Sequence, residues 1–218
     1  MGTSEERTGG QVLVDCLLAQ GVDTAFGVPG ESYLAALDAL YDVSDRLRFV
    51  ACRQEGGAAY MAEAYGKFTG RPGICFATRG PGATNASIGV HTARQASTPM
   101  VLFVGQVSLG HRGLEAFQEI DYRLFYNGLA KHVEQVHDAA RIPEIMSRAF
   151  HMACNGRPGP VVVVLPEDVL AENAQVADLP PCHVLHGEPA PQDMARFQEL
   201  LETARQPLLL AGGRNWST

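Results

Sequence analysis

The sequence predicts an α/β fold: a six-stranded parallel sheet with helices on both faces, over residues 10–170. Three observations predict it. Short apolar runs alternate with segments of helical period. The runs are continuous, as in Val161-Val162-Val163-Val164-Leu165, which marks strands covered on both sides. The chain has 218 residues, 46% hydrophobic and 19% charged, enough for a sizeable core without disulfide or metal staples.

The elements follow in order. Leu13, Cys16 and Leu17 recur at helical spacing before Gly21, so residues 10–20 read as an opening helix. Residues 24–28 form the first strand, stopped by Pro29-Gly30, and Ser32 is placed to cap a helix whose Leu34, Leu37 and Tyr41 share one face. The second strand is 49–52, followed by a helix over 55–68. The third is 74–78, and Gly80-Pro81-Gly82 turns the chain into a helix over 80–95. The fourth is 100–105. Residues 106–128 read as irregular, and 130–136 as a fifth strand. A helix over 142–154 leads through Gly156-Arg157-Pro158-Gly159-Pro160 into the sixth strand, 161–165.

Residues 1–170 thus form a first domain. Residues 171–192 hold Pro180, Pro181, Pro189 and Pro191 with little periodicity, and read as an inter-domain linker. A helix over 193–204 and an apolar strand over 207–211 follow. A lone helix–strand pair cannot bury both faces, so 193–218 is expected to be the truncated start of a second α/β domain.

Charge and composition narrow the function. A net charge of -7 with no Lys/Arg cluster argues against a nucleic-acid surface. No apolar run approaches the ~18 residues of a membrane span, and the first residues lack a signal-peptide core. Five cysteines without a CxxC pair suit a reducing compartment, so a cytoplasmic protein is expected. Neither GxGxxG nor GxxxxGK[ST] is present, against the dinucleotide and P-loop readings. Cys182, His183 and His186 lie close together but lack the paired spacing of a zinc site.

In sheets of this kind ligands sit beyond the carboxyl ends of the strands. Loops with glycine or acidic residues occupy those positions: Gly27-Val28-Pro29-Gly30, Glu55, the stretch from Thr78 through Gly80-Pro81-Gly82 to Asn85, and Gly105-Gln106-Val107. Each alone has a bland reading, as a tight turn, a strand stop or a helix-terminal charge. Together, on one sheet edge, they favour a ligand site. Proline in the GPG turn removes an N–H that a phosphate cradle would use, so this loop is expected to shape a wall.

The ordered set GVPG (27–30), RQEGGAAYMAEAYGKFTGRPG (53–73), TRGPGATN (78–85), GQV (105–107), EAFQEID (115–121), AKH (130–132) and GRPGPV (156–161) resembles the pyrimidine-binding N-terminal domain of thiamine-diphosphate enzymes of the acetolactate synthase and pyruvate oxidase group. The resemblance covers about residues 10–170 and implies the pyrimidine-binding fold of that family. It further implies that Glu55 hydrogen-bonds N1′ of the aminopyrimidine and is the catalytic residue of this domain. By the same resemblance Pro29, Pro81 and Asn85 line the cofactor pocket, and Phe117, Gln118 and Lys131 face the substrate. Asn85 has an alternative reading as a helix cap, Phe117 as a core aromatic, Gln118 as a solvent residue and Lys131 as a solvated charge. The implied cofactor is thiamine diphosphate with Mg²⁺, the diphosphate and metal being held by a domain absent from these residues. The resemblance leaves FAD in a central domain open. It implies a 2-oxo acid substrate, and a homodimer or tetramer in which the glycines and alanines of the 55–68 and 80–95 helices meet across a two-fold axis; packing of those small residues within the chain itself is their other reading. The chain departs from the acetolactate synthase pattern at Gln54, where a His often precedes the Glu, and at Glu31-Ser32 after GVPG.

The function expected is therefore the N-terminal part of a thiamine-diphosphate enzyme that makes or breaks a C–C bond beside the carbonyl of a 2-oxo acid, inactive as an isolated piece. Two other readings stand beside it: the small subunit of a two-chain decarboxylase, and a non-catalytic scaffold that keeps the fold. The carboxyl group at Glu55 argues against the scaffold.

Overall fold

The computed structural model describes residues 6–185 and 187–210. The chain divides into two compact units, Met1–His183 and Val184–Thr218. The first unit opens with a short strand β1 (Arg7–Thr8) and helix α1 (Gly9–Ala19). Next come β2 (Thr24–Gly27), a 3₁₀ turn (Glu31–Tyr33), α2 (Leu34–Asp42), β3 (Arg48–Ala51) and α3 (Glu55–Thr69). They are followed by β4 (Gly73–Ala77), α4 (Pro81–Ala96), β5 (Met100–Gln106), α5 (Tyr122–Phe125) and β6 (His132–Gln135). The unit continues with α6 (Ile142–Cys154), β7 (Pro160–Pro166), α7 (Glu167–Ala171) and a short β8 (Asn173–Ala174).

Strands β2 to β7 form one all-parallel sheet in the order β3-β2-β4-β5-β7-β6. The strand alternation builds two cores. On one face Val101 and Phe103 of β5, with Val161, Val163 and Leu165 of β7, pack under α1, α2 and α6. On the other, Met100, Leu102 and Val104, with Val162 and Val164, pack under the alanines of α3 and α4 and beside Tyr122 and Tyr126. Side chains of a strand point alternately to opposite faces, so a continuous apolar run is what a doubly covered strand requires. Phe76 stacks on Phe103 at 4.8 Å, and Tyr33 on Phe76 at 5.7 Å, extending the first core toward the carboxyl edge.

The order places a switch between β2 and β4: the chain winds outward from β2 to β3, then returns to β4 and proceeds the other way. The carboxyl ends of two strands at such a point frame a crevice. Its walls here are the 27–30 loop and the 78–82 turn, which nearly touch. A Cβ added to Gly30 would stand 2.4 Å from the Cβ of Thr78.

Several sequence expectations are corrected. Leu34 and Tyr41 are 63% and 78% exposed, whereas Ala36, Ala39 and Leu40 face the core. Helix α1 comes so close that a Cβ on Gly10 would stand 2.3 Å from the carbonyl oxygen of Ala35. The inner face of α2 near that crossing therefore holds small residues, and the larger Leu34 and Tyr41 turn outward. Ser32 caps no helix; it lies in the 3₁₀ turn, and its hydroxyl engages Thr78 Oγ1 at 2.8 Å and accepts from the Arg79 N–H at 3.1 Å. The 106–128 stretch holds a 3₁₀ turn (Leu109–His111) and α5, whose cap Asp121 accepts from the N–H groups of Arg123 and Leu124. The sequence reading missed the antiparallel pair β1–β8, because two residues carry no periodicity.

In the second unit α8 spans Pro191–Thr203, with Pro191 at its start. Residues 207–210 form no strand; a strand takes its hydrogen bonds from a neighbour. Ala211, the end of that expected strand, and His186 lie outside the described residues. No helix among the described residues is long and apolar enough to cross a membrane.

Candidate functional site

Glu55 is the first residue of α3. The preceding Gln54 serves as its cap: Gln54 Oε1 accepts from the Gly57 N–H at 2.8 Å. The Glu55 side chain is half-buried, and its Oε2 accepts from Asn85 Nδ2 at 3.0 Å. Asn85 lies inside α4 rather than at its end, so it is a partner of Glu55 and not a cap. The other carboxylate oxygen, Oε1, has no donor among the described residues. It faces Gly82, where an added Cβ would stand 3.2 Å from Oε1 and 2.8 Å from Thr78 Cγ2.

The GPG turn makes the wall beside this carboxylate. Gly80 has φ +64° and precedes Pro81 at the first position of α4. Proline's fixed φ suits that position, where an N–H would lack a helical acceptor. The Gly80 N–H is taken by Tyr122 Oη at 2.8 Å, so the turn offers neither of these N–H groups to a phosphate. Pro29 lies on the opposing loop and, like Pro81, is exposed.

Gln118 rests against the same turn, its Cβ 2.7 Å from where a Cβ of Gly80 would be. Phe117 is 75% exposed, so it is no core aromatic. Gln106 ties the segment below: its Nε2 donates to the Ile120 carbonyl at 2.9 Å, and its Oε1 accepts from the Val107 N–H. Glu119 accepts from the N–H groups of Gly113 at 2.7 Å and Ala116 at 3.3 Å. The Gly113 bond above all, against the cost of desolvation, holds the Glu119 carboxyl below the usual carboxylate range.

The structure thus brings Glu55, Asn85, Pro29, Pro81, Phe117 and Gln118 to one sheet edge. It does not bring Lys131 there. The Lys131 N–H bonds Pro160 O at the beginning of β7, the opposite edge of the sheet. Its ammonium donates to the carbonyls of Met152 and Asn155 at 2.5 and 2.7 Å. Those carbonyls end α6, where a cation is favoured. Burial lowers the Lys131 pKa. The substrate-facing expectation is therefore corrected to a helix-end contact. The sequence reading also missed Tyr122, whose hydroxyl accepts from the Gly80 N–H and so supports the wall.

A family model described as thiamine pyrophosphate enzyme, N-terminal TPP binding domain, matches residues 7–124, a span that holds every site residue above except Lys131. The chain is 38% identical over 214 residues to the acetolactate synthase large subunit of Parasynechococcus marenigrum, covering 94% of this chain and 35% of that protein. It is 40% identical over 213 residues to the acetolactate synthase isozyme 2 large subunit of Escherichia coli, covering 94% and 37%. To the acetolactate synthase of Mycobacterium bovis it is 39% identical over 214 residues, covering 96% and 34%. The chain spans about a third of the length of these curated relatives. By the matched domain, its parallel sheet and the carboxylate at the sheet's edge, the chain belongs to the thiamine pyrophosphate enzymes, as their N-terminal TPP-binding domain.

Proposed function

We propose that this chain is the N-terminal third of an acetolactate synthase-like carboligase, and that its carboxyl edge holds and activates the aminopyrimidine of thiamine diphosphate. The observation that carries the reading is the Glu55–Asn85 pair. One carboxylate oxygen is oriented by an amide, and the other is left facing a glycine that keeps space beside it. That donor set fits a flat heterocycle carrying a ring nitrogen able to share a proton.

Bound thiamine diphosphate supplies an electron sink for making or breaking the bond next to a 2-oxo acid carbonyl. The residues do the rest. Glu55 Oε1 would be the oxygen available to share a proton with the ring nitrogen N1′, and Asn85, donating to Oε2, would hold the carboxylate in place for it. Pro29, Pro81 and Gly82 shape the walls, and Phe117 and Gln118 stand at the substrate side. Mg²⁺ and the diphosphate are held by residues outside this chain, so the 218 residues alone give no turnover. Two copies of the full polypeptide associate, and the protein works in the cytoplasm.

The test is an assay of the full polypeptide with thiamine diphosphate, Mg²⁺ and pyruvate. Acetolactate formation is the expected result. Turnover of benzoylformate or a related acid with none of pyruvate would replace the carboligase reading with that of a decarboxylase. No turnover of any 2-oxo acid, with cofactor bound, would contradict both.

A further inference from the structure

Arg79 lies within the TRGPG turn, yet the chemistry of Glu55 gives it no task. Its side chain is 11% exposed, and its guanidinium uses all three nitrogens on three separate segments. Nη2 donates to Glu31 Oε1 at 3.1 Å, Nη1 to Glu167 Oε2 at 3.0 Å, and Nε to the Phe117 carbonyl at 3.3 Å. Glu167 is held from its other side, its Oε1 accepting from Ser108 Oγ at 3.1 Å. The Arg79 N–H is bound to Ser32 Oγ. One residue therefore joins the loops after β2, β4, β5 and β7 to the segment carrying Phe117 and Gln118. Glu31-Ser32, a departure from the family pattern, supplies two of the partners.

That segment requires holding. Glu115 has φ +55° and Gln118 φ +65°, a left-handed region that side-chain-bearing residues seldom occupy. Such conformations persist where their surroundings over-determine them. Gln118 is braced by Gly80 on one side, and Phe117 is tied by Arg79 on the other.

We propose that Arg79 is a positioning residue. It holds the Phe117–Gln118 segment in register over the Gly80 turn and thereby sets the shape of the substrate end of the site. The holding stands on the contacts alone; its consequence for substrate rests on the proposed function. The planar three-pronged guanidinium suits the task, whereas a lysine offers one nitrogen to three acceptors.

The test uses the full polypeptide with Arg79→Met and Arg79→Lys, and Arg46→Met as an exposed control. Deuterium exchange of residues 112–121 should quicken in both Arg79 variants while residues 55–69 stay unchanged. Loss of a hydrogen bond to a charged group should raise KM for pyruvate by about tenfold. The kcat and the Kd for thiamine diphosphate should change little. If Arg79→Met fails to fold, Arg79→Lys decides, because it keeps a charge beside Glu31 and Glu167. Unchanged exchange over 112–121 overturns the holding. Quickened exchange with an unaltered KM overturns the substrate role. A parent enzyme that leaves pyruvate untouched contradicts the proposed function, and the exchange measurement still decides the holding.

Discussion

At the scale of single residues, the site rests on which atoms are already engaged and which are left free. The motif located Glu55, but the sequence could not show that Asn85 would turn toward it, since thirty residues separate them and an asparagine near a helix start more often caps it. Lys131 shows the opposite failure: the resemblance implies a residue facing substrate, the bare sequence a solvated charge, and the fold uses it to end α6. Arg79 was legible as a letter of the turn and not as a contact, because its partners come from three distant loops. Glu119 gives a pH prediction. Its folded pKa is depressed, so its contribution is present above the unfolded value of about 4.3 and is lost as pH falls through the folded value. Amide exchange at Gly113 and Ala116, corrected for intrinsic rates, should therefore quicken as pH drops below the ordinary carboxylate range. Glu119→Gln should show that quickened exchange at neutral pH. Equal protection in parent and variant at pH 7 would remove the carboxylate from the role of loop anchor.

Among the elements, the central strands β4, β5 and β7 were legible because each is an apolar run buried along its whole length, whereas the edge strands β3 and β6 are short and partly exposed. The helix faces were less so. The glycines and alanines of α3 and α4 carry two readings, packing within the chain and a surface for another subunit, and Gly56, Ala58, Ala59, Ala62 and Gly89 are buried within this chain. They let the two helices meet closely: a Cβ on Gly89 would stand 2.5 Å from the Cβ of Ala59 and 2.8 Å from its carbonyl carbon. Backbone on the far side cannot swing away as a side chain could. Gly89→Ala should therefore destabilise the domain by about 1–3 kcal/mol, as overpacking does, seen as a lower midpoint in urea unfolding. Ala substitution at Gly110, which meets nothing within 4 Å, should leave the midpoint close to that of the parent. An unchanged midpoint for Gly89→Ala would mean that α3 and α4 do not pack at this distance.

For the molecule as a whole, the outer faces of α3 and α4 carry Tyr60, Met61, Phe68 and Ile88, with Phe68 88% exposed. These residues, rather than the small ones, are the ones we propose meet a second copy. An obligate interface of that kind buries more than roughly 2,000 Å² in total, so sedimentation of the full polypeptide should give a dimer or tetramer at micromolar concentration; a monomer there would contradict the pairing. The central claim is that Glu55 activates a bound aminopyrimidine, and hydrogen–deuterium exchange at C2 of thiamine diphosphate on the full polypeptide tests it most directly. Glu55→Gln keeps the shape and the contact with Asn85 but cannot share the proton in the same way. Exchange should slow by about 10²–10⁴-fold, the usual worth of acid–base assistance, with thermal stability little altered. Exchange at the parent rate in a cofactor-saturated Glu55→Gln enzyme would leave Glu55 a structural carboxylate and contradict the account.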